Sequence, residues 1–511
     1  MRGTTDPARA TEFTVVVDQH TAADDQVFTR GTLRGKLVDR GGAPLAGVTV
    51  TAQVASDEWD EGRHATTRAD GTWQLAGLPP AGYAISFRNE QSGRTQWAYG
   101  KSTREDATVI DLRSGATAVV DETWQPGAAL TLRGVDATTG APVDGLCAWL
   151  VTDGDVSDCA TTGDLTFTDL GPGRITVDLS TPTGSFYLSP GQRELTLTAG
   201  ETTTVTVPLT QGGKVSATAV AAATGAPLRR ACIALLVPAA GGVGDGGGEC
   251  TNAAGKVTTQ AWAPGVYQAF VFAPQGYGHQ WLGAAGGTGE QKLAAKITVK
   301  PGKVAKAPEI RVDPAGAIQG TVTDQTGAPA PQANVSFSAW SFGAGPSHDV
   351  ETDENGRYTI DRLGPYPWPL VFTTATHPRQ WSGNTPNRNQ AATIPVTPGA
   401  AATYNMTLTP GVSLTGKVTT PPGLPAGTWR LTALNAATGD PLAQFDSSAA
   451  PDGVYTMSLL PAQQVKIGWL VADHEAGVSR SGFYDNAADL AGATKVSIPQ
   501  RTKQLDLTVG R

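Results

Sequence analysis

The chain is patterned in short pieces. Apolar and polar residues alternate over four to eight positions, and Gly, Pro, Asn or Asp bounds each run. Alternation with a period of two predicts half-buried β-strands, and apolar stretches of helical period are hard to find. One stretch sets the pattern: TTRADGTWQLAGLPPAGYAISF, from Thr66 to Phe87, reads as a strand, a Pro/Gly corner and a second strand forming a hairpin. It returns with variations at Ala160 to Leu179, Thr251 to Phe272 and Thr352 to Phe372, and in its most altered form at Pro451 to Trp469. A motif that recurs at this spacing predicts a chain of similar small domains.

The period divides the 511 residues into a leader or incomplete N-terminal segment (1–30) and five β-sandwiches, at 31–126, 127–210, 211–314, 315–410 and 411–511, the last divergent. In the first, Val48, Val50, Ala52 and Val54 share the inward parity. In the second, Leu146, Ala148 and Leu150 point inward, which leaves Cys147 on the outer face. The junctions VDETWQPG, VPLTQGG, RVDPAG and TLTPG each run a last strand almost directly into the next first strand. Junctions this short predict an extended, semi-rigid rod.

Four cysteines refine the picture. Aligning the repeats on their Gly-Ala-Pro turns places Cys147 and Cys232 at one position, and aligning on the hairpin places Cys159 and Cys250 at another. Two repeats therefore hold both cysteines and two hold neither, which predicts cross-strand disulfides Cys147–Cys159 and Cys232–Cys250 rather than a metal site. Disulfides favour an extracellular or cell-surface location. The formal net charge of −8 is spread without long runs and argues against nucleic acid as a partner. No apolar run reaches membrane-spanning length, so no membrane insertion is expected.

The order G-K/T-V-x-D, G-A-P-L-x-G-V-x-V, T-x-x-D/N-G-x-Y/W-x-[LI], L-x-P-G-x-Y-x-[VI]-x-F resembles the carboxypeptidase regulatory-like domain, over nearly all of 31–410 and more faintly in 411–511. The resemblance implies a transthyretin-like, starch-binding-like Greek-key β-sandwich repeated in tandem in a secreted bacterial protein, an all-β fold. It also implies the family's usual non-catalytic roles of spacer, adhesion or glycan-binding module. Trp73, Phe167, Tyr358 and Tyr455 follow the turn and should plug the sandwiches. Tyr83, Tyr267 and Trp368 are expected as core or corner aromatics.

The chain is poor in catalytic motifs. Its six histidines include no HExxH or HxH pair, Ser347-His348-Asp349 cannot form a relay from consecutive positions, and there is no GxSxG elbow. No cofactor is implied, because the Gly-rich insert Gly241 to Gly248 lacks phosphate-loop context. Two acidic groups, Ser56 to Glu61 and Asp353-Glu354-Asn355, carry hard oxygen ligands but lack EF-hand spacing. Lys36, Lys214 and Lys417 recur on opening strands without a matching Glu/Asn pair for an isopeptide bond.

One recurrence carries candidate chemistry. Gln96-Trp97, Gln280-Trp281 and Gln380-Trp381 follow the hairpin at nearly constant distance, with Tyr187 and Tyr484 as counterparts in the other repeats. An indole face beside amide donors suits stacking on a sugar ring, so a polysaccharide is the expected ligand. The competing reading, preferred because the position repeats with the fold, has each Trp cover an open sandwich end or pack on the next domain. The expectation is a non-catalytic extracellular spacer and binding protein. The alternatives are a polysaccharide-degrading enzyme or accessory subunit, and a purely structural scaffold.

Overall fold

The computed structural model describes residues 28–57, 60–90, 93–151, 156–237, 248–338, 349–420, 429–449, 453–473 and 478–509. The expected leader falls largely outside them, as do Glu58, Trp59, Gly241 to Gly247 and His348. Secondary structure is almost wholly β-strand. The chain forms two compact units, Met1–Gln211 and Gly212–Arg511.

The first sandwich shows the plan. Its strands are β1 (Gly31–Val38), β2 (Thr49–Val54), β3 (Arg63–Thr66), β4 (Thr72–Leu78), β5 (Ala81–Arg88), β6 (Thr95–Trp97), β7 (Ile110–Leu112), β8 (Thr117–Val119) and β9 (Glu122–Thr123). One sheet has the order β4-β1-β8, with β9 also on β1; the other has the order β3-β2-β5-β6, with β7 on β5. β1 is antiparallel to β4 and parallel to β8 and β9. The same plan recurs around the opening strands Ala128–Asp136, Lys214–Ala221, Gly316–Thr323 and Val412–Thr419, each with an antiparallel neighbour and a parallel exit strand.

The repeated stretch is therefore an arch and not a hairpin. β4 pairs with β1 and β5 with β2, so the Pro79-Pro80 corner carries the chain from one sheet to the other. The alternation explains it, because Trp73 and Leu75 from one sheet and Tyr83, Ile85 and Phe87 from the other face a single core. Three corner aromatics fix the crossing by the same bond. Tyr83 Oη donates to the Pro79 carbonyl, Tyr267 Oη to Ala263 and Trp368 Nε1 to Gly364, each four residues back. Just before the corner the strand bulges at a left-handed residue: Gly77 (φ 74°), Asp169 (φ 55°) or Arg362 (φ 56°).

The inward parities are those expected. Val48, Val50, Ala52, Leu146, Ala148 and Leu150 are buried, and so are the plugs Trp73, Phe167, Tyr358 and Tyr455. Both disulfides join directly opposed residues of neighbouring strands, Cys147 to Cys159 and Cys232 to Cys250. Closing loops of 12 and 18 residues is worth about 3 kcal/mol each in the chain-entropy account. In the fifth sandwich Gly439-Asp440-Pro441 links two paired strands, Trp429–Asn435 and Pro441–Asp446. It is a loop of a different kind from the Gly-Ala-Pro turns.

Cores are not all separate. Residues of the third sandwich (Ala234, Leu236, Phe270, Phe272, Trp281) and of the fourth (Ile318, Val335, Phe337, Tyr358, Trp368, Phe372) form one continuous cluster. The inward face of the third sandwich, with Ile233, Leu235, Ala269 and Val271, forms a second cluster. The strands Cys232–Leu236 and Gly265–Phe272 are thus apolar on both faces. That is why CIALLV and AFVFA read as continuous apolar runs instead of alternations.

Candidate functional site: the Gln-Trp loops

Gln96-Trp97, Gln280-Trp281 and Gln380-Trp381 each lie on a short strand beside β5 or its counterpart in the second sheet, and the strand of Gln280-Trp281 carries one more partner, Gly287–Thr288. Trp97 opposes Ser86, Trp281 opposes Phe270 and Trp381 opposes Val371. The rings are 5%, 2% and 2% exposed. This corrects the expectation of an indole platform, since no open ring face is left for a sugar. Trp281 packs edge-on to Phe270 at 5.1 Å, inside the cluster shared with the fourth sandwich. Trp381 packs with Val371 and Ala391.

The glutamines are buried too, and their amides are directed at backbone. Gln96 Nε2 donates to the Thr123 carbonyl at 2.9 Å, and its Oε1 accepts the Gln125 N–H at 2.8 Å. Gln380 Nε2 donates to the Thr409 carbonyl at 3.2 Å, and its Oε1 accepts the Thr409 N–H at 3.0 Å. Gln280 Nε2 donates to the Arg311 carbonyl at 2.9 Å. Thr123, Arg311 and Thr409 lie in or just beyond the last strand of each sandwich. Each Gln therefore clips the exit strand where the chain passes to the next domain. A side-chain amide, with one donor and one acceptor end, satisfies a peptide group as another peptide would. Tyr187, the counterpart in the second sandwich, does this through backbone: it bridges to Gln211, and the Leu188 N–H bonds the Thr210 carbonyl.

The surrounding loops meet the next sandwich. In the first unit, Arg94 pairs with Asp169 at 3.3 Å and covers the Trp124 ring at 4.3 Å. In the second unit, the His279 N–H bonds the Arg362 carbonyl at 2.7 Å, and the Gly364 N–H bonds the His279 carbonyl at 2.9 Å. Tyr366 Oη lies 2.7 Å from Asp313 Oδ2 and 3.0 Å from Gln280 Oε1, so its one proton is shared between two acceptors, and burial together with Asp313 pushes its pKa up. A Cβ at Gly278 would lie 2.5 Å from the Gly364 backbone, so the two chains touch there. Farther on, Arg379 Nη1 donates to the Pro441 carbonyl, and Arg388 pairs with Asp440, which is 1% exposed. Asp169 and Arg362 occupy the same bulge position, so the left-handed residue before the corner is what reaches the preceding domain. Sequence reading found the Gln-Trp pairs and missed these partners, which lie 52 to 86 residues away in the Asp313, Arg362, Tyr366 and Asp440 contacts. The signal it could have used is the pair of continuous apolar runs.

The other candidate groups serve local structure. Asp60 Oδ2 accepts the Val54 N–H and its Oδ1 the Gly62 N–H. Asp353 Oδ1 accepts the N–H groups of Asn355 and Arg357. Lys36 and Lys417 have exposed side chains. Glu122 is buried beneath the first Gln-Trp loop, where it accepts the Tyr99 and Gly100 N–H groups and the Gln96 amide. Burial pushes its carboxyl up while those donors pull the other way. A cleft of about 320 Å³, counted with the solvent at its mouth, touches Trp281, Trp381, Phe337, Lys292 and Arg388. Its charges are already matched, Lys292 by Glu290 and Arg388 by Asp440.

Residues 32–125 and 317–409 match the family model of the carboxypeptidase regulatory-like domain. No curated protein matches the chain in sequence. Among solved structures, GBS52, the minor pilin of Streptococcus agalactiae, is 18% identical over 35% of this chain and 95% of that one, with a TM-score of 0.26. A streptococcal ancillary pilin is 14% identical over 56% and 99%, with a TM-score of 0.22. The Bacillus anthracis TIE protein is 13% identical over 71% and 69%, with a TM-score of 0.18. Likeness at this level assigns no function.

Proposed function

We propose that this tandem array of carboxypeptidase regulatory-like domains is a non-catalytic, extracellular or cell-surface spacer whose domain junctions are locked by the Gln-Trp loops. The observation that carries this reading is the amide clip. In three sandwiches a buried Gln pairs with the exit strand beside a buried Trp, and the same loop then contacts the following domain. Such a device holds one module against the next, which is what a spacer requires. The two disulfides support the oxidising location. The non-catalytic reading is supported by how three buried polar groups are used: Glu122 accepts the Gln96 amide, Asp440 pairs with Arg388, and Gln380 bonds the Thr409 backbone.

The test is small-angle scattering of the native chain against a variant carrying Gln96→Ala, Gln280→Ala and Gln380→Ala. Each change leaves buried donors and acceptors unpaired, at about 1–3 kcal/mol per group. The distance distribution should broaden while the circular dichroism stays that of a β-protein. Superimposable scattering profiles would overturn the reading.

A further inference from the structure

The row of side chains that carries the junction Trp has a different character in the second sandwich. Reading across the second sheet, the first sandwich has His64, Thr51, Ser86 and Trp97 in register. The third has Ala234, Phe270 and Trp281, and the fourth Ser336, Val371 and Trp381. In those three the Trp is buried. In the second sandwich the corresponding row is Ser157, Trp149, Asp178 and Gln192. All four are exposed, and Trp149 is 48% exposed. The indole has moved from the strand beyond the counterpart of β5 to the counterpart of β2, and it faces solvent.

We propose that this outer sheet face is a polysaccharide-binding platform, with Trp149 as the stacking ring and Ser157, Asp178 and Gln192 as its polar contacts. Three observations select the ligand. The row spans four strands, about 14 Å at the usual strand spacing, which suits a short run of linked sugars lying across the sheet. Its groups are one apolar ring flanked by a hydroxyl, a carboxylate and an amide, the set that stacks on a pyranose and hydrogen-bonds its hydroxyls. A protein surface is the poorer fit. Where the equivalent row packs between the third and fourth sandwiches its buried members, Ala234, Phe270 and Trp281, are all apolar, whereas covering Asp178 with a dry partner would strand a charge. A ligand made of hydroxyls satisfies that carboxylate. The platform is also held in place, because the Cys147–Cys159 bridge ties together the two strands that carry Trp149 and Ser157. This site is independent of the spacer reading, and either can fail without the other.

The experiment uses the full chain, its Trp149→Ala variant and its Asp178→Asn variant. Both positions are exposed, so both variants should fold. The probes are insoluble starch, cellulose and chitin in a pull-down, with acrylamide quenching of the free protein as a second measurement. The expected result is retention on at least one of the three, weakened roughly tenfold by Trp149→Ala, the loss of about one stacking contact. Asp178→Asn should weaken it less. Quenching of the free chain should drop on removing Trp149, because the ring is open. Retention on none of the polymers, or retention unchanged in Trp149→Ala, overturns the proposal. So does a Trp149 that acrylamide does not reach, which would mean the face is already covered. Self-association that Trp149→Ala abolishes, without polysaccharide retention, would assign the face to a second copy and likewise overturn it.

Discussion

Gly35, Gly320 and Gly416 stand in the opening strands of three sandwiches, and a Cβ added at each would lie 1.8, 1.7 and 1.9 Å from the carbonyl oxygens of Val120, Tyr404 and Leu505. Those carbonyls belong to the break in each exit strand. Directly across the antiparallel pair sit Trp73, Tyr358 and Tyr455. The two tyrosine hydroxyls donate to the Tyr404 and Leu505 carbonyls. Glycine and aromatic are therefore one device, in which the missing side chain lets the exit strand close in and the ring covers the contact. The other two sandwiches put Leu132 opposite Leu165 and Ala217 opposite Val257, with neither glycine nor aromatic. Trp73, Tyr358 and Tyr455 were legible from the sequence because each follows its turn glycine by two residues, whereas Phe167 follows Gly163 by four and lies opposite Leu130. Their pairing with a glycine was not, since it joins positions 38 residues or so apart that local patterning treats as independent. Gly320→Ala should destabilise the fourth sandwich by about 3 kcal/mol, an overpacking cost borne by backbone that cannot move aside. Chemical denaturation followed by the fluorescence of the buried tryptophans measures it, and a loss below about 0.5 kcal/mol would mean the exit strand yields freely.

At the scale of elements, the arches were legible in composition and misread in topology. Two alternating runs around Leu78-Pro79-Pro80 suit a hairpin and an arch equally, and only the pairing partners decide. What fixes three of the arches is a phenol or indole tip returned to a carbonyl, and the buried phenols have a consequence at high pH. Burial pushes the Tyr83 hydroxyl up to about 12, and it likewise raises Tyr267, Tyr358, Tyr366 and Tyr455. The unfolded chain releases these protons near the ordinary phenol value of about 10. Between that pH and the raised values the folded state binds more protons than the unfolded one. The stabilisation is therefore complete below about pH 10 and falls as pH rises through 10 to 12. Phenolate absorbance near 295 nm should lag in the native protein behind the same chain in denaturant, and the denaturation midpoint should drop across that window. Coincident titration curves for native and denatured protein would show that the tips are not closed.

For the molecule as a set of domains, the strand plan that recurs around five opening strands was legible, and the core that two neighbouring repeats share was not. Each repeat alone predicts its own thin core. The third and fourth instead share one, because Phe270 of the third stacks on Phe337 of the fourth at 5.1 Å and Phe337 meets Trp368 at 5.1 Å. The alternation of the other repeats does not show this, and the one signal lies in CIALLV and AFVFA, whose second face is apolar because the neighbour covers it. The Gln-Trp pairs are buried, and what they meet is the next stretch of the same chain. A shared core predicts shared unfolding. Phe337→Ala removes a ring that contacts both sandwiches, and a buried Phe lost to a cavity costs about 3–5 kcal/mol. Hydrogen exchange reads the two sandwiches separately, through peptides spanning Cys232–Leu236 and Arg357–Leu363. If the pair is one cooperative unit, both peptides lose protection together and by similar free energies in the variant, while strands of the first unit such as Ala81–Arg88 keep theirs. Loss confined to Arg357–Leu363 would make the third sandwich an independent folder that merely abuts its neighbour. The joint loss is expected because removing Phe337 leaves Phe270 and Trp281 without the surface that buries them, and exposing that much aromatic area is itself comparable to the margin by which a domain of this size is stable.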